Sequence, residues 1–449
     1  MEKKNHHLQE IPLLARDLDS IRHRGYLTAL LDNNSISYFI FKGRPMGYEY
    51  ELLQLLSKHL KVDLKIKVIS GIEEAVDKLN KGEGDIIAFP LTITKDRTRY
   101  LSFTSPFFDT YQVLVQQKNS GNENQLIRNP SELIGKDVYV IKGSSFKDRL
   151  ENLSQEIGGE IIVHEDSADA ETESLIRKVA QGQIEFTVTD QMIAQVNQLY
   201  YPTIDINTVI SLPQQIAWAS RKNSPLLISS INEWISRSKN NGTLKIIKEK
   251  YFESPRMSLL IASSDYSSMR SEKLSPYDEA LKKGAEKLGW DWRLLASVAY
   301  QESNFDPQVK SWAGAIGLMQ IMPETGELFG SHNLWDPHQN IYVSVRFLKS
   351  LDDYWKKTVP NDEERKKFVL ASYNVGVNHV IDAQRLSKKY KRRADVWDNN
   401  VEFYLVQKSN PKYYRDALAG AGYCRCDGPV VYVKQVLQRY EEYKIHIAA

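Results

Sequence analysis

The sequence predicts an α/β module built in two lobes, followed by an all-α domain. Three observations predict it. From Arg24 to about Lys118 short apolar strands alternate with helical stretches, and the alternation resumes from Gly135 to Val188. Beyond a serine-rich stretch without clear period, Ser254 to Lys273, strand signals largely vanish and helical ones take over. At ~100 to 200 residues per domain, a chain of 449 residues makes two or three domains, each able to bury its own core.

The first lobe is read from its periods. Leu52, Leu53, Leu55, Leu56 and Leu60 recur at helical spacing, and Val62 to Val68 places every second side chain apolar, as a half-exposed strand does. A helical stretch from Ile72 to Leu79, a Gly82-Glu83-Gly84 break and the run Ile86-Ile87-Ala88-Phe89 complete a βαβ pattern. In the second lobe, strand Val138 to Ile141 runs through Gly143-Ser144-Ser145-Phe146 into a polar helix, and a strand from Ile184 to Val188 leads to Asp190. The strand Gln215 to Ser220 and helices Leu226 to Ser238 and Leu244 to Phe252 are expected to pack back on the first lobe. The boundaries follow: a tail over 1–23, a first lobe over about 24–117 and 210–253, a second over 118–209, a linker over 254–273 and the helical domain over 274–449. In that last domain Ser275-Pro276 and Asp336-Pro337 each read as a capped helix start with proline at the first helical position.

Composition excludes several classes. With 42% hydrophobic and 26% charged residues the chain is ordinary globular protein, and Lys plus Arg at 59 against Asp plus Glu at 57 gives +2, which argues against nucleic acid as partner. No apolar run approaches the ~20 residues of a membrane-spanning helix, and Met1 to His7 lacks the apolar segment of an export signal. The two cysteines, Cys424 and Cys426, have one residue between them. A bridge at that spacing is expected to be strained and two ligands make a poor zinc site, so they read as free thiols.

Glu302 is the most informative residue. A helix from about Asp291 puts Leu295, Val298, Ala299 and Glu302 on one stripe, so the carboxyl lies on an apolar face. Asp306-Pro307 must end that helix, leaving Glu302 at its partially negative end. Desolvation and the dipole both favour the protonated acid, which is what a general acid requires. A buried glutamate paired to a cation would look the same from position alone. Nearby, Gly314 and Gly317 break the chain ahead of Gln320, and the apolar helix Phe368 to Tyr373 runs out into Asn374 and Gly376.

Glu-Ser-x-Phe-Asp-Pro from Glu302, Gly-Ala-x-Gly-Leu-Met-Gln-Ile-Met-Pro from Gly314 and Ala-x-Tyr-Asn-x-Gly from Ala371 occur in this order. From Leu274 onward the chain thus resembles the soluble lytic transglycosylase family, with its lysozyme-like all-α fold. The resemblance implies that Glu302 is the catalytic acid and base, and that Ser303, Met319, Gln320, Tyr373, Asn374 and Tyr432 line a cleft for peptidoglycan glycan strands. It implies cleavage between N-acetylmuramic acid and N-acetylglucosamine with 1,6-anhydro ends, and neither metal nor cofactor. A usual hydrolase needs a second carboxylate across the scissile bond, and none of Asp306, Glu324, Glu327 or Asp336 stands out as one. A muramidase remains an alternative, as does a receptor that only anchors to glycan.

The front half resembles the family-3 extracellular solute-binding proteins, whose periplasmic-binding-protein fold has two α/β lobes. Gly47 to Leu53, Leu91-Thr92-Ile93-Thr94-Lys95-Asp96-Arg97, Phe103 to Phe107 and Asp190 carry the likeness. It implies that Arg97 takes a ligand carboxylate bidentately, with Thr92, Ser144 and Ser145 assisting and Asp190 holding an α-amino group. An amino acid or muropeptide is therefore the expected ligand, regulating the enzyme. The pairing of the two modules implies a periplasmic protein attached at the inner face of the outer membrane.

Overall fold

In the computed structural model the described residues are 16–32, 34, 36–118, 126–167, 172–269 and 271–449, so residues 1–15 of the expected tail lie outside them. The chain divides into two compact units, Met1–Ser271 and Glu272–Ala449.

The first unit opens with α1 (Leu18–Arg24), a helix inside the stretch expected as tail, capped by the Asp17 carboxylate on Leu18 N. Then come β1 (Tyr26–Asp32), the hairpin β2 (Phe39–Phe41) and β3 (Arg44–Met46), α2 (Tyr48–Leu60), β4 (Asp63–Ile69), α3 (Gly71–Asn80), β5 (Ile86–Thr92), β6 (Leu101–Phe103), β7 (Phe108–Thr110) and β8 (Gln112–Gln117). Next are β9 (Asp137–Ile141), α4 (Ser145–Ile157), β10 (Ile162–Asp166), α5 (Thr172–Ala180), β11 (Phe186–Asp190), α6 (Gln191–Tyr200) and β12 (Ile204–Val209). β13 (Gln214–Arg221), α7 (Pro225–Asn240), α8 (Thr243–Phe252) and α9 (Pro255–Ser263) close the unit.

Two sheets result. One has the order β4-β1-β5-β13-β6 with β7 beside β13, the other β10-β9-β11-β8-β12. β1 runs parallel to β4 and β5, and its Leu27, Ala29, Leu30 and Leu31 are fully buried, as interior parallel strands require. Edge strand β4 keeps the exposed-to-buried alternation that its sequence carries. The chain changes sheet at Tyr111, because β8 already pairs with β11 and β12, so the first lobe ends before 112 and not at 117. Only one residue separates β7 from β8, and no turn composition marks the crossing. The return near 210 falls where β13 pairs antiparallel with β5.

The stretch expected as a linker is also structured. Pro255 opens α9, and the chain beyond it returns to the hairpin, where Lys42 N donates to Tyr266 O at 2.7 Å and Ser268 N to Ile40 O at 2.8 Å. A helix this short, with serines around it, has too few turns for a period to emerge.

The second unit is all helix among its named elements: α10 (Asp278–Leu288), α11 (Trp292–Ser303), α12 (Pro323–Leu328), α13 (Pro337–Trp355), α14 (Asp362–Val375), α15 (Val377–Lys389), α16 (Glu402–Gln407), α17 (Pro411–Tyr414) and α18 (Asp427–His446). Asp336 caps α13 as expected, accepting from Gln339 N. At α10 the roles differ: the helix starts at Asp278, whose carboxylate accepts from Leu274 N, Ser275 N and Ser275 Oγ, and Pro276 sits in the turn before it. Gly284 allows α10 to meet α13 closely, since a Cβ there would lie 2.8 Å from Val345 Cγ2. Ser297 in α11 ties to α18 by donating to Val436 O at 2.6 Å. The cysteine expectation is overturned, for Cys424 and Cys426 are joined by a disulfide. Their Cα atoms stand 5.3 Å apart, inside the range a bridge tolerates.

Candidate active site

α11 presents Glu302. Asp291 caps its start by accepting from Arg293 N, and Leu295, Val298 and Ala299 face the core, which fixes the side of the helix on which Glu302 stands. The helix stops at Ser303 because Asn304 and Phe305 take φ values of 53° and 63°, turning the chain ahead of Pro307. Glu302 Oε1 accepts a hydrogen bond from Tyr432 Oη of α18 at 2.6 Å. Burial pushes the Glu302 carboxyl up to about 7, while the Tyr432 bond pulls the other way. Among the described residues no cation and no second carboxylate contributes to that shift. Tyr432 and Tyr373 are themselves raised well above an ordinary phenol, by burial first and then by the nearby Glu302 charge. Both stay protonated, so Tyr432 acts as a donor to the acid.

The loop that faces this acid is built around an amide. Ile316 and Ile321 exchange backbone hydrogen bonds at 2.9 and 3.0 Å, closing a tight turn. Inside it Gly317 has φ 79°, and a Cβ there would meet Leu334 O at 2.4 Å, so both conformation and space demand glycine. Asn340 of α13, fully buried, donates from Nδ2 to Ile316 O and Leu334 O at 2.9 and 2.8 Å and accepts at Oδ1 from Met319 N at 2.8 Å. Met319 O in turn accepts from Tyr373 Oη at 2.7 Å. Turn, helix and aromatic hydroxyl thus form one bonded chain beside Glu302.

In the first unit Arg97, Thr92, Ser144, Ser145 and Asp190 line one cavity of about 260 Å³. Gly143, with φ 76°, turns β9 into α4 so that the two serines come to its wall, and Asp190 stands where β11 passes into α6. Arg97 Nη1 donates to Thr92 O at 3.1 Å. Burial pushes Asp190 up to about 7, opposed by the Arg97 charge, and burial lowers Arg97. At that cavity Ser144 Oγ and Asp190 Oδ1 are buried polar atoms that no group among the described residues satisfies. Asp190 makes no helix-capping bond with its side chain, so capping does not account for it. Unsatisfied donors and acceptors around a cavity are what a small polar ligand would complete.

Comparison with known proteins adds the family. The description "Transglycosylase SLT domain" matches residues 279–396, and "Bacterial extracellular solute-binding proteins, family 3" matches residues 28–254. A membrane-bound lytic murein transglycosylase F of Desulfosudis oleivorans is 34% identical over 427 residues, covering 95% of this chain and 91% of that protein. The chain belongs to the membrane-bound lytic murein transglycosylase F family. A Pseudomonas putida protein of the same name is 30% identical, with 94% of this chain and 86% of that protein covered. Among solved structures, the P235GK mutant of ArgBP from T. maritima is 23% identical with a TM-score of 0.46, over 53% of this chain and 99% of that one. The two matched descriptions, with the two sheets and the helical second unit, make the architecture a periplasmic-binding-protein-like α/β module ahead of a helical transglycosylase domain.

The residues expected along the cleft divide. Glu302, Tyr373 and Tyr432 come together, each tyrosine close enough to feel the Glu302 charge. Ser303 and Met319 do not line a surface. Ser303 is buried and its hydroxyl donates to Leu318 O at 2.7 Å, and the Met319 side chain is fully enclosed, so both shape the site from behind. Gln320, at φ 49°, spends its amide on Val309 O and Gly317 O at 3.0 and 2.9 Å. Asn374 is exposed in the last turn of α14. Asn340 was missed. Its signal was an amide on the otherwise inward stripe Asn340, Ser344, Leu348 and Leu351.

Proposed function

We propose that the chain cleaves the β-1,4 bond between N-acetylmuramic acid and N-acetylglucosamine in peptidoglycan and leaves 1,6-anhydro-muramoyl ends. The observation that carries this reading is a single shielded carboxyl, Glu302, held near neutrality as an acid and touched by Tyr432. Glu302 gives its proton to the glycosidic oxygen as the C1–O bond breaks, and the 2-acetamido oxygen of the same sugar closes on C1. The 6-hydroxyl then displaces that oxygen, and its proton returns to the Glu302 carboxylate. Acid and base are one group, and no water is consumed. Tyr432 donates to Glu302 most strongly when it is ionised, so the bond strengthens as the proton leaves.

The experiment is digestion in ¹⁸O-labelled water with mass spectrometry of the released disaccharide. Products one water lighter than the hydrolysed sugar and free of ¹⁸O support the reading. Label at the new reducing end would convert the enzyme into a muramidase. Tyr432→Phe is expected to reduce kcat about tenfold to a hundredfold, the worth of a hydrogen bond to a charged group. It is also expected to move the fall of activity with pH upward, since the bond that lowers the Glu302 pKa is gone. An unchanged pH profile in that variant would deny Tyr432 this role.

The cavity around Arg97 is assigned to an amino acid or a small muropeptide. At about 260 Å³ it falls below the ~300 to 1,000 Å³ of larger ligand sites, which favours a compact ligand over a glycan strand. Its closure of the two lobes is taken to change access to Glu302, a coupling that needs only different ligand affinity in the two arrangements. Turnover that is identical with and without every peptide tried would remove that regulation. That these relatives are named membrane-bound supports a periplasmic, membrane-associated protein at the inner face of the outer membrane. The attachment is peripheral in this proposal; among the described residues no helix is long and apolar enough to cross a membrane.

A further inference from the structure

Two sulfurs and an imidazole meet just ahead of α18, in a part of the catalytic domain that the reaction does not use. Cys424 and Cys426 are both buried, and His379, the third residue of α15, reaches them from 45 positions earlier in the chain. One ligand atom from each of the three lies within 4.8 Å of the other two. Sequence alone leaves the cysteine pair without a further ligand, and folding supplies one. Behind it, Lys408 Nζ stands 2.9 Å from His379 Nδ1 and bonds Asp382 Oδ2 at 2.5 Å, and Asp382 also accepts from Gly420 N and Ala421 N at 3.0 and 2.9 Å. The approach to the cysteines is therefore held at Gly420, Ala421 and Cys424, since Cys424 N donates to Lys408 O as well.

We propose that, once a dithiol has reduced the Cys424–Cys426 bond, the two thiolates and His379 bind one thiophilic divalent cation of the zinc class. The reductant supplies two electrons and two protons to the S–S bond and becomes a disulfide itself. The cation then displaces both thiol protons to solvent and forms two metal–sulfur bonds and one metal–nitrogen bond. A tetrahedral site with Zn–S of ~2.3 Å and Zn–N of ~2.0 Å separates two sulfurs by about 3.8 Å and sulfur from nitrogen by about 3.5 Å. The three ligand atoms already lie within 4.8 Å of one another, the same range as those separations.

Charge supports the assignment. Two thiolates neutralise a divalent ion, and Lys408 already has its counter-charge in Asp382. Whichever imidazole nitrogen binds the ion, the other must carry the ring proton, so Lys408 releases His379 and keeps Asp382. Three protein ligands leave the fourth position to water. The bound ion would tie α15 to the start of α18, the helix that holds Tyr432.

The test uses the full chain reduced with dithiothreitol, freed of the reductant and dialysed against buffered Zn²⁺, with elemental analysis, and Co²⁺ as a spectroscopic probe. One ion per chain in the reduced protein and none in the oxidised protein is expected, with a near-ultraviolet thiolate-to-cobalt charge-transfer band. Cys424→Ser with Cys426→Ser is expected to lose both the ion and the band, and His379→Ala to weaken binding at least tenfold. Failure of the reduced chain to take up an ion would overturn the proposal without needing any variant. Equal uptake by oxidised and reduced chains, by the double serine variant, or at unchanged affinity in His379→Ala would overturn it as well.

Discussion

Glu302→Gln is expected to cut turnover of peptidoglycan by ~10² to 10⁴ or more, because proton transfer by a positioned acid is worth that much and among the described residues no second carboxylate acts on Glu302. The amide keeps the shape and can still accept from Tyr432, so the loss reports the proton and not the packing. The same group sets the pH dependence. With Glu302 at about 7, kcat/KM is expected to hold below that value and to fall as pH rises through it. Its folded value lies above the unfolded reference of 4.5, so its contribution to stability is fully present below about 4.5 and is lost as pH climbs through about 7. At 1.36 kcal/mol per unit, a rise from 4.5 to about 7 costs the folded state about 3 kcal/mol once the group is ionised. Glu302→Gln is therefore expected to be more stable than the parent at pH 8, by that order, and equal to it near pH 4. Thermal or urea unfolding at the two pH values measures it. Full turnover in the variant, or a variant less stable than the parent at pH 8, would remove Glu302 from its role.

The residues that sequence placed correctly share a property: their position follows from local pattern. Glu302 falls on a helical stripe whose start and end are both signalled, and β4 and α13 announce themselves by alternation and by Asp336-Pro337. What escaped depends on contacts made across the chain. Ser303 and Met319 sit in motifs that point to a binding surface, yet Leu318 O and the core claim them. Asn340 carries three hydrogen bonds that only exist once the Ile316–Ile321 turn lies against α13. β8 belongs to the second sheet through its partners, while its composition is that of its neighbour. His379 joins the cysteines by tertiary folding alone, and no spacing rule connects positions so far apart.

Arg97→Ala is expected to weaken binding of amino acids or small muropeptides to the first unit by ~10² to 10³, the usual consequence of stripping a buried charge of its partner. Arg97→Lys keeps the charge but loses the planar fork, and about a tenfold loss is expected from it. Isothermal titration of the full chain with a panel of L-amino acids and stem peptides reads both. The Ala variant acts twice, because Arg97 is what opposes the burial of Asp190. Without it the Asp190 carboxyl rises further, stays protonated near neutral pH, and no longer offers a charge to an α-ammonium. In the parent, Asp190 at about 7 takes a proton in the open pocket and must release it to an ammonium ligand. Affinity is thus expected to increase as pH rises from 6 to 8, and binding below pH 7 to release a proton, measurable as a heat that scales with the ionisation enthalpy of the buffer. A ligand bound as tightly by Arg97→Ala as by the parent would mean that its carboxylate is held elsewhere. Affinity that is flat in pH would separate Asp190 from the ammonium, leaving Arg97 as the one charged contact of the two.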